Sequence, residues 1–268
     1  MKYKLIAVDM DGTLLNDEQK ITERTKIAIV KAVETGALFV TATGRSIMGA
    51  GLINELFEQD MPFIVFNGAS AVMGKSKEIL FSKFLDTDTA NEVYDIGKSR
   101  GMPMVVWTNK GLRAHYGGEE SEVYRKYFHK YYYNDQKEID EFSEIAHEQV
   151  YKIIWFGPRE TVNKYHIEMG KHFENRANCH PSLPEYLEFV SPEADKGIAM
   201  GELGKIYGID KSEMIAVGDG YNDVSMLKYA GLGIAMENAP DEIKAVCGEV
   251  TLSNNDDGVA AVIEKYIL

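Results

Sequence analysis

Short apolar runs alternate with amphipathic helical patterns at both ends of this chain, and that alternation constrains the fold more than any other feature. Near the N-terminus, residues 5–8 read as a buried strand. Residues 22–34 place Ile27, Val30 and Val33 at helical spacing, with Gly36 as a stop. A second strand follows at 38–43, a second helical pattern at 46–57 and a third strand at 63–66, bounded by Pro62 and the Asn67-Gly68 turn signal. The C-terminal stretch repeats the rhythm. Helices are expected at 196–207, 223–229, 241–247 and 258–266, and strands at 214–217, 232–235 and 250–252. Strand–helix–strand order at this spacing implies right-handed crossovers and an α/β fold with a doubly wound, mainly parallel sheet.

The middle of the chain has a different character. All six histidines lie between His115 and His180, and the tyrosines concentrate there. Residues 104–107 and 112–116 flank a Gly-containing turn and read as a hairpin. Further strands are expected at 150–156 and 186–190, and helices at 87–98, 119–131 and 160–173. This is the pattern of an α+β domain, 84–188, inserted between two parts of one α/β domain, 1–83 and 189–268.

Composition narrows the function. The 268 residues are 45% hydrophobic and 26% charged, ordinary for a globular protein. Lys and Arg number 29 against 42 Asp and Glu, a formal charge of −13. Such a balance argues against nucleic acid or an anionic membrane as partner, since their phosphates would repel it. It leaves open a small phosphate ester, which responds to local charge and to a bound cation. Cys179 and Cys247 show neither disulfide-framework nor zinc-site spacing. No apolar run approaches the ~18 residues of a membrane span, and Asp9 interrupts any signal-like N-terminal segment. A cytoplasmic protein is expected, as a monomer or small homo-oligomer.

In an open parallel sheet, ligands sit beyond the carboxyl ends of the strands. After the first strand come Asp9-Met10-Asp11-Gly12-Thr13; after the second, Thr43-Gly44-Arg45; after 214–217, Gly218-Asp219-Gly220-Tyr221-Asn222-Asp223. Lys196-Gly197 opens a helix that can reach the same crevice. Acids gathered at strand ends repel one another unless a cation neutralises them, and an oxygen-only, water-retaining site suits Mg²⁺. Thr43, Lys196 and the backbone N–H groups around Met10 and Gly44 could hold phosphoryl oxygens. A carboxylate beside the phosphorus can attack it and form an aspartyl phosphate. A second carboxylate two residues on can protonate the leaving oxygen and then take a proton from water.

Taken together and in order, these four motifs resemble those of the haloacid dehalogenase superfamily, and more narrowly its Cof-type phosphatases with a type IIB cap. The resemblance spans the whole chain, inserted domain included. It implies a Rossmann-like core, with 84–188 as a cap that chooses the substrate. Asp9 would be the nucleophile and a metal ligand. Asp11 would be the general acid/base and a ligand through its carbonyl. Asp219 would be the third ligand, and Asp223 would support the metal site. Thr43 and Lys196 would bind the phosphoryl group, helped by the backbone of Met10 and Gly44 and the side chain of Asn222. Arg45 would either contact substrate or pair with acids at the rim. The implied activity is Mg²⁺-dependent hydrolysis of a small phosphorylated metabolite such as a sugar phosphate, with a cap that opens and closes.

Competing readings remain at this level. Calcium loops fail: counting from Asp9 or from Asp219, the sixth residue is Leu14 or Val224 rather than Gly. Gly74-Lys75-Ser76 resembles the end of a phosphate-binding P-loop, but residues 78–84 read equally well as a hairpin strand. A non-catalytic module that binds phosphate, or accepts a phosphoryl group, would carry similar acids. Tyr131-Tyr132-Tyr133 and Trp107 read as packing rather than base-stacking residues. His115, Tyr116, Tyr186 and Glu188 are the candidates for substrate selection in the inserted domain.

Overall fold

The computed structural model describes residues 2–46, 59–117, 122, 125–126 and 137–268. The expected helices at 46–57 and 119–131 and the Tyr131–133 run lie wholly or almost wholly outside these residues. The chain divides into two compact units, Met1–Ser82 with Ala194–Leu268, and Lys83–Glu193.

The first unit carries an eight-stranded sheet. Its strands are β1 (Leu5–Asp9), β2 (Leu38–Ala42), β3 (Pro62–Val65), β4 (Ser70–Met73), β5 (Ile79–Ser82), β12 (Met214–Gly218), β13 (Leu232–Ala235) and β14 (Glu249–Val250). Their spatial order is β14-β13-β12-β1-β2-β3-β4-β5. The six strands from β14 to β3 run parallel, and β4 and β5 add an antiparallel edge. β1 and β12 are fully buried and apolar up to their last residues, the pattern of strands covered on both faces. From β1 the chain winds outward one way through β2 and β3, and later the other way through β12, β13 and β14. The crevice at this reversal is where such sheets bind ligands.

Local chemistry sets the helix ends. Helix α1 (Glu23–Glu34) starts at Thr22, whose side chain accepts the N–H of Thr25, and Glu23 complements the helix dipole. The long helix of the C-terminal part, Lys196–Tyr207, is capped by Asp195, whose carboxylate accepts the Ile198 N–H at 2.9 Å. It stops at Gly208, which adopts the left-handed conformation. The last helices are shorter than the sequence predicts at one point. Val224–Tyr229 and Gly258–Tyr266 match closely, but Asp241–Lys244 ends before Cys247.

The second unit holds a six-stranded sheet ordered β10-β11-β9-β6-β7-β8. Its strands are β6 (Met104–Thr108), β7 (Gly111–His115), β8 (Lys137–Glu138), β9 (Val150–Phe156), β10 (Asn178–Leu183) and β11 (Tyr186–Val190). All pairs are antiparallel except β7 with β8. Helices α2 (Thr87–Ser99) and α3 (Arg159–His172) contribute to one core with Tyr94, Met104, Trp155, Leu187 and Phe189. The unit ends at Glu193, later than the expected 188, because β11 stays paired with β9 and β10 up to Val190.

Candidate active site

Three adjacent strands of the first unit, β2, β1 and β12, end side by side. Asp9 is the last residue of β1 and is 5% exposed. The chain then turns tightly, with Leu14 N–H donating to Asp9 C=O and Leu15 N–H to Met10 C=O. Gly12 takes a positive φ of 81°, and a Cβ there would collide with the Asp219 carboxylate. Only glycine lets this turn pass so close to the end of β12. Within the same turn, Thr13 Oγ1 donates to Asp219 Oδ1 at 2.6 Å.

Lys196 is the first residue of its helix and is completely buried. Its Nζ donates to Asp9 Oδ1 at 2.5 Å and to Asp223 Oδ1 at 2.6 Å. Asp223, also fully buried, uses its other oxygen to accept the N–H groups of Asp219 and Gly220 at 3.1 and 2.9 Å. Its carboxylate thereby fixes the loop after β12. The helix start comes this close because Gly68, at φ 95°, leaves no side chain against the Asp195 backbone.

One oxygen each of Asp9, Asp219 and Asp223 lies within 4.8 Å of the others. One ammonium stands against three carboxylates, and the titration behaviour reflects the imbalance. Burial, then the charge of Asp223, pushes the Asp9 carboxyl up to about 8 against the opposing pull of Lys196. Burial also raises Asp219, reinforced by Asp223 and Asp11 and opposed by the Thr13 hydroxyl. For Lys196 burial works the other way, but Asp223 and Asp9 outweigh it and hold the ammonium above its usual range. An all-oxygen donor set with surplus negative charge fits a hard divalent cation such as Mg²⁺.

The second motif lies beside this cluster. Thr43 is buried after β2; its N–H donates to Ile64 C=O, and its hydroxyl accepts the Arg45 N–H at 3.0 Å. Gly44 lies against the Asn67 side chain, with no room for a Cβ. Asn67, buried in a left-handed conformation after β3, accepts from Asn222 Nδ2 at 3.1 Å. It thereby bridges the strand ends on either side of β1. Arg45 pairs with Asp11: Nε donates to Oδ2 at 2.9 Å, and Nη2 contacts Oδ1. Met10 is fully buried between the two acids.

A sequence profile of the haloacid dehalogenase-like hydrolases matches residues 6–263. The chain belongs to this family. It is therefore a hydrolase, and its similarity to other members runs end to end. YxeH of Bacillus subtilis strain 168, a candidate phosphatase by name, is 32% identical over 270 residues, covering 99% of each chain. From the same organism, YwtE, a 5-amino-6-(5-phospho-D-ribitylamino)uracil phosphatase, is 30% identical and is covered to 98%, as is this chain. A crystal structure of a haloacid dehalogenase-like hydrolase from Bacteroides thetaiotaomicron superposes with a TM-score of 0.84 at 28% identity, covering 98% of this chain and 99% of that one.

Within the family fold, all ten residues singled out from the motifs lie at the ends of β1, β2 and β12 or at the start of the Lys196–Tyr207 helix. Sequence reading assigned no role to Thr13, Asn67 or Gln19, which orient Asp219, Asn222 and Arg45. The Asn67-Gly68 dipeptide was the one available signal, since it favours left-handed backbone. The P-loop reading is overturned. Lys75 and Ser76 link the antiparallel strands β4 and β5, and their N–H groups donate to the Asp60 carboxylate at 2.6 and 2.9 Å. An acid thus takes the amides that a phosphate would need. In the second unit, Tyr186 and Tyr116 belong to one apolar cluster, whereas His115 packs edge-on against Tyr94. Glu188 accepts from Lys152 at 2.9 Å and Ser182 at 2.8 Å. Among the described residues, no helix is long and apolar enough to cross a membrane.

Proposed function

We propose that this chain is a Mg²⁺-dependent phosphatase of small phosphorylated metabolites, working through an aspartyl phosphate in the cytoplasm. One observation carries the reading: a buried carboxylate, Asp9, is held by Lys196 at 2.5 Å beside the oxygens of Asp219 and Asp223. A carboxylate so buried and so crowded contributes poorly to stability but serves as an oriented nucleophile.

Asp9, Asp219 and the backbone carbonyl of Asp11 would hold the cation, with Asp223 fixing the loop that carries Asp219. The cation, when bound, supplies charge that keeps Asp9 ionised and polarises the phosphoryl group. Asp9 attacks phosphorus, and the bond to the leaving oxygen breaks as Asp11 delivers a proton to it. Water then attacks the aspartyl phosphate, giving up its proton to Asp11 and releasing inorganic phosphate and the Asp9 carboxylate. Lys196, Thr43, Asn222 and the N–H groups of Met10 and Gly44 would hold the phosphoryl oxygens as charge develops. The net charge of −13 suits a small ester better than a polyanion. The relative YwtE is named for a substrate with a phosphorylated ribityl chain, which supports including polyol phosphates among the substrates to test.

The test is hydrolysis of p-nitrophenyl phosphate with Mg²⁺, followed by a panel of sugar and polyol phosphates. EDTA and Asp9→Asn are each expected to abolish turnover. Rates unchanged by both would refute the reading.

A further inference from the structure

Asp11 stands apart from the buried acids. Its side chain is 49% exposed, and it does not join the oxygens of Asp9, Asp219 and Asp223. A half-exposed aspartate has rotamers to spare, yet proton transfer needs the carboxyl in one place. Both of its oxygens face one planar guanidinium, through Arg45 Nε at 2.9 Å and Nη2. Such a fork fixes orientation in a way a point charge cannot. An ion pair this exposed adds little stability; what it provides here is direction.

Arg45 is itself aimed from both ends. Its backbone N–H is tied to the Thr43 hydroxyl at 3.0 Å, and its Nη2 donates to Gln19 Oε1 at 2.7 Å. Gln19 sits at φ 58°, in the left-handed region that a non-glycine residue rarely adopts. The surrounding turn enforces that conformation. Asn16 C=O accepts the Gln19 N–H at 2.8 Å, and Asn16 Oδ1 accepts the N–H groups of Glu18 and Lys20 at 3.1 and 3.0 Å. Asp17 anchors the turn through Asn254 and Asn255 at 3.2 and 2.9 Å. Glu18 and Lys20 pair with each other in solvent, while the amide oxygen of Gln19 is directed at Arg45.

We infer that Gln19 and Arg45 are positioning residues that set the carboxylate of Asp11 for its proton transfers, and that Arg45 is not a phosphoryl ligand. This rests on the phosphatase reading. It separates from that reading through the leaving group, because an alkoxide needs a proton to depart and p-nitrophenolate hardly does.

The experiment compares an alkyl phosphate drawn from the panel with p-nitrophenyl phosphate, both with Mg²⁺. On the alkyl ester, Arg45→Ala is expected to lower kcat about 10- to 100-fold, and Gln19→Ala about 3- to 10-fold, with KM moved less than about 3-fold. Losses on p-nitrophenyl phosphate are expected to be smaller. Arg45→Lys, which keeps the charge without the fork, is expected to restore less than half of the rate. In an Asp11→Asn background, Arg45→Ala is expected to add less than about twofold, the mark of residues acting through one group. Equal losses on both esters, a raised KM and additivity with Asp11→Asn would instead make Arg45 a phosphoryl ligand and overturn the inference. A parent protein inactive on every ester overturns the phosphatase reading, and the inference with it.

Discussion

Replacing Lys196 by Met tests the charge balance of the site directly. Methionine keeps most of the buried stem and removes the ammonium that faces Asp9 at 2.5 Å and Asp223 at 2.6 Å. Both partners are then buried without a counter-charge, and breaking a buried pair in this way costs about 3–5 kcal/mol. That is a large share of the roughly 5–15 kcal/mol of a typical domain, and it corresponds to a melting point lower by about 10 °C. Activity is expected to fall further than stability. Burial and the charge of Asp223 raise the Asp9 carboxyl against the pull of Lys196, so removing the ammonium raises it further and disfavours the ionised carboxylate that must attack. A loss of about 10³-fold or more in kcat/KM is expected, in line with losses on removing charge stabilisation from other active sites. Urea unfolding followed by circular dichroism reads the stability, and p-nitrophenyl phosphate the activity. Adding Asp223→Asn to Lys196→Met removes one orphaned charge, so it is expected to recover part of the stability and none of the activity. A Lys196→Met protein that unfolds at the parent's urea midpoint would refute this reasoning, as would a double variant weaker than the single.

Thr13→Ala deletes the hydroxyl that holds Asp219 at 2.6 Å, and the Mg²⁺ concentration for half-maximal activity is expected to rise about 10-fold. Gly12→Ala forces a side chain against Asp219 at a backbone φ of 81°; a cost of about 1–2 kcal/mol and a weakened Mg²⁺ response are expected in thermal melts and metal titrations. Burial holds the imidazoles of His180 and His115 below their usual value, so the unfolded chain takes up these protons first as pH falls. Their contribution is then fully present above about pH 6.5 and lost as pH drops through the lower folded values; melting points measured from pH 8 to 5 are expected to fall, less steeply in His180→Gln.

The central strands were legible because each is a short, nearly uninterrupted apolar run that ends abruptly in Asp, Thr or Gly. Asp9 was legible as functional because it follows such a run, at the carboxyl end of a parallel strand where these sheets bind ligands, and because it opens the first of four ordered motifs. Other elements left no such trace. β10 carries exposed Ser182 and Leu183 beside Pro181 and has no alternation of its own; it exists because β11 offers it an edge. The partners of the site residues were equally hidden. Thr13 and Asp219 lie far apart in sequence, and only the parallel pairing of β1 with β12 brings their turns together. Whether Arg45 met substrate or an acid depended on where the 16–20 turn delivers one amide, which no motif encodes.

The same cluster explains why these residue types, rather than better-packing ones, occupy the end of the sheet. Apolar side chains of similar volume would fold this crevice as well or better, since a buried ion pair rarely outweighs its desolvation. Three carboxylates and one ammonium go further, leaving the site short of positive charge in the absence of a ligand. Burial, reinforced by that deficit, raises Asp9 and Asp219 together, so a cation bound there recovers energy that folding has already spent. Lys196 offsets enough of the repulsion for the unit to fold, but not enough to satisfy the acids. The balance between those two requirements, rather than any single contact, suits this edge of the sheet to phosphoryl chemistry.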